Sequence, residues 1–479
     1  MTLALVAVPF AFALLAFAAP RSPLRAWLIP LGGAAHLALT VAALRAPETT
    51  VAGQWLGLDA LGRLFLGFVS LFFFLCSIYA VGYLAQRPER DGRVFGGCML
   101  AFLATMTLVI EAHHLGLMWV GVEACTLAAA PMLYFHRTRR SLEAVWKYLM
   151  VGSVGVAIAL LGTFFIAYAA LHGGVAPSLY FEDLLAAAPR LSRAWLRPAF
   201  VLLFIGYGTK LGLAPMHAWK PDAYGEAPGV VGALLSGGVT TCAFLAILRF
   251  YRVLLAASDA AFAREMMLVA GLLSMLVAGV FMARQRDLKR LLAYSSVEHM
   301  GILVLGVGIG GDGVFGALYH VLNNGITKGV LFLAAGNLQL AFGSKRTDEV
   351  RGALRRLPRS AALFFAGFFA ITGTPPFGPF QSEFTILRAA VDGRRYALAG
   401  GFLALLAVIF VGFGATVLSM MLGVPDEDPA GEARPPPRDT TLTTAPIAVF
   451  LALSLVLGVY LPAPVEALLR DAAATLRAP

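Results

Sequence analysis

Apolar residues run along this chain in blocks of about twenty, the length a helix needs to cross the hydrocarbon core of a bilayer. Short polar stretches punctuate them. Fourteen blocks stand out, at residues 2–19, 24–44, 58–84, 94–112, 114–135, 144–171, 198–217, 228–251, 264–284, 291–310, 313–341, 359–391, 396–423 and 443–461. The pattern predicts an all-α polytopic membrane protein of about fourteen transmembrane helices. The first block has no basic residues ahead of it and Arg21 behind it, which fits a retained span better than a cleaved signal peptide. Residues 178–196, "SLYFEDLLAAAPRLSRAWL", mix charges into a leucine pattern and read as an interfacial piece. Residues 424–442, "VPDEDPAGEARPPPRDTTL", are rich in proline and charge and read as a linker.

Composition sharpens this picture. Hydrophobic residues make up 59% of the 479, and charged residues only 13%, about half the share of a soluble domain. Mean hydropathy is +0.79. The net charge of +10 therefore speaks of topology and anionic lipid rather than nucleic acid. Loops after odd-numbered spans carry 22 Lys and Arg, against 13 in the even-numbered loops and the tail. The positive-inside rule then puts the odd loops in the cytoplasm and both termini on the outer face, with the bacterial-type cytoplasmic (inner) membrane as the location. The cysteines, Cys76, Cys98, Cys125 and Cys242, lie in apolar blocks without ligand spacing. They read as free core thiols, with no zinc or iron–sulfur site.

Several ionisable residues lie well inside the blocks: Glu123 in "WVGVEA", Lys210 in "GYGTKLGLAP", Glu298 and His299 in "YSSVEHMG", His320 and Lys328 in "YHVLNNGITKGVLFL", and Glu383 in "TPPFGPFQSEF". Each is costly in lipid, so each should face the protein interior and pair with others there. A buried Glu or Lys can also be half of a static ion pair. Two carboxylates and two lysines in four separate blocks fit a hydrated proton relay better. His320 and Lys328, eight residues apart, share a helix face, with Asn323, Asn324, Gly325 and Gly329 between and beside them.

Prolines give a second clue. Pro215 interrupts the seventh block, and Pro375, Pro376 and Pro379 interrupt the twelfth. Broken helices in corresponding positions mark inverted repeats with ion sites at the breaks, although prolines also merely kink membrane helices. An offset of five spans means opposite insertion. The expected organisation is a three-helix segment (1–93), a first five-helix repeat (94–255, spans 4–8), a second inverted repeat (256–423, spans 9–13), the linker (424–442), and a final helix with a short tail (443–479).

Other signals carry less. "GVGIGGDG" at 306–313 precedes no βαβ unit, and no "GxxxxGK[ST]" occurs, so nucleotide-loop readings fall away. His113 and His114 sit between spans and read as surface histidines rather than haem or quinone contacts. His217 and Asp222 flank the cytoplasmic end of the seventh span, where they would gate water entry beside the interfacial anchor Trp219.

The series "WVGVEA", "TKLGLAPMHAWKPDAYGEAP", "RDLKRLLAYSSVEHMG", "YHVLNNGITKGVLFLAAGN" and "TGTPPFGPFQSEF", across residues 60 to 420, resembles the antiporter-like membrane subunits of respiratory complex I, membrane-bound hydrogenases and multisubunit sodium/proton antiporters. The resemblance implies fourteen spans, two inverted five-span repeats and a hydrated mid-membrane axis. It maps the proton-carrying residues onto Glu123, Lys210, Lys328, Glu383 and His320; Glu298, His299, Ser236, Thr240, His217 and Asp222 are accessory candidates. One departure stands out. Many complex I members carry a His or Lys in the eighth span, where this chain reads "GALLSGGVTTCAFL"; Ser236 and Thr240 there carry a proton only through water. The "EAPGVVGALLSG" wording resembles more closely the F-type membrane component of hydrogenase-4. The resemblance implies a proton-translocating subunit beside other antiporter-like subunits and a peripheral redox arm, with Fe–S, flavin or NiFe centres only in partner subunits. A secondary transporter, for sodium/proton antiport or inorganic-carbon uptake, is the alternative, and a purely structural membrane anchor is a third reading.

Overall fold

The computed structural model describes residues 1–46, 55–424 and 439–477, so the linker expected at 424–442 falls mostly outside the described residues. Among the described residues the chain is helical throughout, with only isolated bridges such as Leu56–Ala112. The helices are α1 (Thr2–Ala18), α2 (Leu28–Arg45), α3 (Ala60–Ala85), α4 (Gly92–Glu111), α5 (Leu115–Leu133), α6 (Arg139–His172), α7 (Phe181–Ala187), α8 (Arg193–Leu211), α9 (Trp219–Glu226), α10 (Gly229–Leu234), α11 (Thr240–Ala256), α12 (Ala260–Met282), α13 (Leu288–Ile309), α14 (Asp312–Phe342), α15 (Ala353–Arg356), α16 (Pro358–Ile371), α17 (Gly378–Asp392), α18 (Tyr396–Leu422), α19 (Thr441–Val459) and α20 (Ala463–Ala474). A π-helical turn, Leu235–Val239, joins α10 to α11.

Eleven helical segments among the described residues are long and apolar enough to cross a membrane. Large apolar side chains point outward from the peripheral ones: Val154 and Phe164 on α6, Val280 on α12, and Val411 on α18 are all more than half exposed. Such a surface belongs in an apolar membrane environment, against lipid or the apolar face of another membrane protein. The protein is a multi-pass membrane protein.

Local chemistry sets the helix ends. Asp59 accepts from the Gly62 amide at 2.8 Å to start α3, and Asp287 accepts from the Lys289 and Arg290 amides, both at 3.0 Å, to start α13. Thr138 with Ser141, and Thr440 with Thr443, form reciprocal caps on α6 and α19. Inside lipid there is little hydrophobic drive between helices, so close packing and interhelical bonds hold them. Gly155 and Gly162 on α6 meet α8 so closely that a Cβ at Gly155 would lie 2.7 Å from Thr209. Gly271 on α12 and Gly301 on α13 do the same for that pair, with a Cβ on either within 2.8 Å of the other's carbonyl.

Two of the expected spans are broken, each at a left-handed glycine three residues ahead of a proline. Gly212 (φ 81°) precedes Pro215, and Gly373 (φ 65°) precedes Pro376. Only glycine adopts that backbone without strain. The seventh block differs from expectation in one way. Its helix stops at Leu211 rather than continuing to 217, and the chain resumes as the short half-helix α9, which the sequence presented as loop. The twelfth block divides into α16 and α17 around 372–377. Residues 178–196 form α7, a 3-10 turn and the start of α8; the Phe181 ring packs 5.6 Å from Phe250 on α11.

Candidate functional site

The ionisable residues that the sequence placed inside apolar blocks converge on the interior of the bundle. Glu123 projects from α5. Its Oε1 accepts from Ser153 Oγ on α6 at 2.6 Å, and its Oε2 lies 3.8 Å from Lys210 Nζ on α8. Lys210 is 1% exposed, donates to Thr126 Oγ1, and sits 5.5 Å over the Tyr148 ring. Gly152 makes room for it, since a Cβ there would lie 2.5 Å from Nζ. Lys210 is two residues from the first helix break, and its ammonium reaches across to α5 and α6.

On the other side of the bundle Lys328, from the middle of α14, is fully buried and donates to Ser295 Oγ on α13 at 2.7 Å. Glu298 and His299 follow on α13, and His299 Nε2 lies 3.9 Å from Glu298 Oε2. The next contact crosses back to α14, where His299 Nδ1 and His320 Nε2 share a hydrogen bond at 3.0 Å, with ring centroids 5.1 Å apart. His320 Nδ1 meets Ser382 Oγ on α17 at 2.9 Å. Glu383, beside Ser382, brings Oε1 to 3.9 Å from His299 Nδ1. Asn323 Nδ2 donates to the Gly378 carbonyl at 2.9 Å, tying α14 to the second helix break.

His299, His320 and Glu383 present ligand-type atoms all within 4.8 Å of one another. The hydrogen bond between the two imidazoles occupies nitrogens a cation would need, and metal-bound His must turn a lone pair to the metal. The arrangement is the more direct one for passing a proton between neighbouring bases.

The accessory residues divide. Glu298 and His299 join the buried group. Ser236 lies in the π-helical turn with its Oγ buried and without a hydrogen-bond partner among the described residues, and Thr240 donates to the Ser236 carbonyl at 2.6 Å. His217 lies in the turn after the first break, its ring 6.2 Å from that of Tyr294. Asp222 on α9 is held by Lys147 at 2.8 Å and Arg290 at 2.5 Å, at one end of the bundle and outside the buried group. His113 is a correction. It is 5% exposed rather than a surface group, and its Nδ1 meets Glu182 Oε1 at 2.5 Å. His114 caps α5 and stacks on Trp55 at 4.4 Å. The four cysteines are free and buried.

Sequence reasoning missed three groups. Lys220, on α9, is fully buried, and its Nζ donates to the Leu211 carbonyl at 2.6 Å and to Ser296 Oγ at 3.2 Å. Adjacent hydroxyls, Ser295 and Ser296, form a polar seam inside α13; the "SS" pair in an apolar block was the available signal. Arg249 on α11 is 2% exposed and donates to the carbonyls of Ile110 (2.6 Å) and Ala112 (2.5 Å) at the end of α4. It satisfies helix-terminal acceptors and lies 3.4 Å from Asp59.

Comparison with known proteins converges on one group. The chain is 34% identical over 420 residues to the hydrogenase-4 component F homolog of Methylacidiphilum infernorum, covering 86% of each. A chain of respiratory complex I from Thermus thermophilus superposes with TM-score 0.78 at 25% identity, covering 96% of this chain and 97% of that one. A chain of the Mrp complex from Dietzia sp. shares the fold, with TM-score 0.86 at 22% identity over 99% of this chain and 97% of that one. With the model for "NADH:quinone oxidoreductase/Mrp antiporter, TM" matching residues 112–411, the chain belongs to that family of membrane subunits.

Proposed function

We propose that this chain is the proton-translocating membrane subunit of a redox-driven complex of the hydrogenase-4 or NADH:quinone oxidoreductase kind. The carrying observation is a pair of groups of ionisable and hydroxyl side chains drawn in among the helices, Glu123 and Lys210 on one side and Lys328, Glu298, His299, His320 and Glu383 on the other. Charges are tolerated inside a membrane protein where they serve such a path. Glu123 favours the charged form of Lys210 when close. When Glu123 swings away or is neutralised, Lys210 releases its proton toward Lys328, and Glu383 passes it to the outer face.

In this reading fourteen spans are arranged as a three-helix segment (1–93), two inverted five-helix repeats (94–255 and 256–423), a linker and a final helix, with both termini outside. The matched pair of broken spans, each with its left-handed glycine, supports the repeat. Electron transfer belongs to a peripheral arm that carries the redox centres. The exposed apolar flanks of α6 and α18 would pack against sister membrane subunits. Glu123, whose side chain is 23% exposed, lies on α5 between the exposed Val120 and Leu127, where a neighbour's state would reach it directly.

Lys210→Ala, in membrane vesicles energised with the complex's electron donor, tests the reading. Proton uptake should disappear while the complex still assembles. Normal redox-driven uptake by this variant rejects it. Uptake that needs sodium and no electron donor favours the secondary transporter.

A further inference from the structure

The two groups are not joined through the eighth span by a carboxylate, lysine or histidine: Ser236, in the π-helical turn, and Thr240, at the start of α11, stand there. Between them lies Lys220, which the sequence presented as part of a polar loop. It belongs to α9, the half-helix beyond the first break, and is fully buried. Its two hydrogen bonds point in two directions. One goes to the carbonyl of Leu211, the residue next to Lys210, at 2.6 Å. The other goes to Ser296 Oγ at 3.2 Å, and the adjacent Ser295 Oγ accepts from Lys328 at 2.7 Å. The Tyr224 ring lies 5.9 Å from its Nζ, and no carboxylate forms an ion pair with it among the described residues, although Glu298 stands two residues beyond Ser296 on α13. A buried ammonium without a counter-charge is held poorly and gives up its proton readily.

Building on the function proposed above, we infer that Lys220 is the middle carrier of the path, joining Lys210 to Lys328 through the Ser296–Ser295 seam in place of a titratable group on the eighth span. In the forward step an N–H bond of the Lys210 ammonium breaks and an N–H bond forms on the neutral Lys220 amine, so one positive charge moves and nothing else changes. In the second step Lys220 gives a proton to the hydroxyl seam as that seam gives one to the neutral Lys328 amine. The break after α8 serves this geometry. Gly212, in the left-handed region, leaves room for the lysine stem, since a Cβ there would lie 2.5 Å from Lys220 Cδ.

A static role is the rival. Lys220 also satisfies the carbonyl that the break leaves open, so removing its donor would damage folding. Two variants separate the roles. Lys220→Gln keeps an N–H donor near Leu211 but cannot carry a proton. Ser296→Ala leaves the Leu211 contact whole and cuts only the forward one. Both are to be assayed in the purified intact complex reconstituted in liposomes, reading assembly, electron transfer and proton uptake, beside Lys210→Gln as control. The bridge predicts assembled complexes in which Lys220→Gln lowers uptake about tenfold or more and Ser296→Ala lowers it measurably. Wild-type uptake in both, with Lys210→Gln inactive, overturns the bridge and leaves the broader function standing. Wild-type uptake in Lys210→Gln overturns both.

Discussion

Glu123 and Lys210 stand 3.8 Å apart with unequal surroundings: the lysine side chain is 1% exposed and the glutamate 23%. In the proposed mechanism the tuning partner, Glu123, is therefore reachable from outside the bundle, and the carrying partner, Lys210, is not. At an effective dielectric of about 20, unit charges at this separation interact by roughly 4 kcal/mol, less where the carboxylate is open to its surroundings. That is enough to change the loading of Lys210 when Glu123 is neutralised. Glu123→Gln is expected to lower redox-driven proton uptake about tenfold in vesicles with the complex assembled. Ser153→Ala, which removes the 2.6 Å bond that orients the carboxylate, should produce a milder loss. Equal, wild-type rates in both would show that the pair does not set the rate.

Gly152 gives a test that leaves every titratable group in place. A Cβ there would meet Lys210 Nζ at 2.5 Å, and the atom that must give way is the tip of a flexible side chain. Gly152→Ala should therefore fold and assemble, with the ammonium pushed off its contacts with Thr126 and Glu123. Uptake is expected to fall several-fold at unchanged complex yield. A collapse in yield would show instead that the α6–α8 packing needs this glycine.

How much of this was legible without coordinates follows from what lipid does to charge. Glu123, Lys210, His320, Lys328 and Glu383 each interrupt an apolar run, and the cost of such an interruption is what made them readable. Their convergence on one interior follows from the same cost. Lys220 was not legible for the opposite reason. It sits among Pro221, Asp222, Gly225 and Glu226, residues that spell a loop, and only the turn at Gly212–Ala218 folds this polar half-helix back into the core. Asp222, two residues on, faces the other way and pairs with Lys147 and Arg290. Position in a short polar stretch thus says little about which of two charged neighbours is buried. Arg249 was hidden likewise, at the end of an apolar block where an arginine ordinarily reaches water.

The imidazole pair carries a prediction about the second half of the path. His320 bonds His299 through one nitrogen and Ser382 through the other, at 3.0 and 2.9 Å. A ring held at both nitrogens passes a proton by accepting at one and releasing at the other. His320→Asn should lower proton uptake about tenfold, whereas Ser382→Ala, which keeps the ring and its bond to His299, should cost much less. If Ser382→Ala is as damaging as His320→Asn, the histidine acts through its anchoring to α17 rather than as a carrier.

Outside the spans, Arg197 and Asp259 form a two-pronged pair, Nε to Oδ2 and Nη2 to Oδ1, both at 2.7 Å. It ties the start of α8 to the turn between α11 and α12, where the proposed repeats meet. The hydrogen bonds from Arg197 outweigh partial burial and hold the Asp259 carboxyl below its ordinary value. A depressed folded-state value means that the stabilisation is present above the ordinary aspartate range and is lost as pH falls through the folded one. The guanidinium is half exposed, so solvent screens the pair and its contribution is small. Asp259→Asn should lower the melting temperature in detergent by a few degrees near neutral pH, and its difference from the wild type should shrink as pH drops toward 3. A difference independent of pH would remove the charge pair as its cause.

Gly458, near the end of α19, faces the second break. A Cβ there would run into the Pro376 carbonyl and the Phe377 backbone. Unlike the lysine tip beside Gly152, these atoms belong to main chain and have little freedom to retreat. The same break carries Gly378, whose carbonyl accepts from Asn323 Nδ2, and it leads into α17, which presents Ser382 and Glu383 to the two histidines. Gly458→Ala should therefore act on stability and path together. Overpacking of this kind costs about 1–3 kcal/mol, and a shift of α17 would lengthen the Ser382–His320 contact. The expected outcome is a lower melting temperature together with reduced proton uptake in whatever complex still assembles. Gly400, on α18, has open space around it, so Gly400→Ala serves as control and should change neither. Identical behaviour of the two variants would show that α19 does not brace the break.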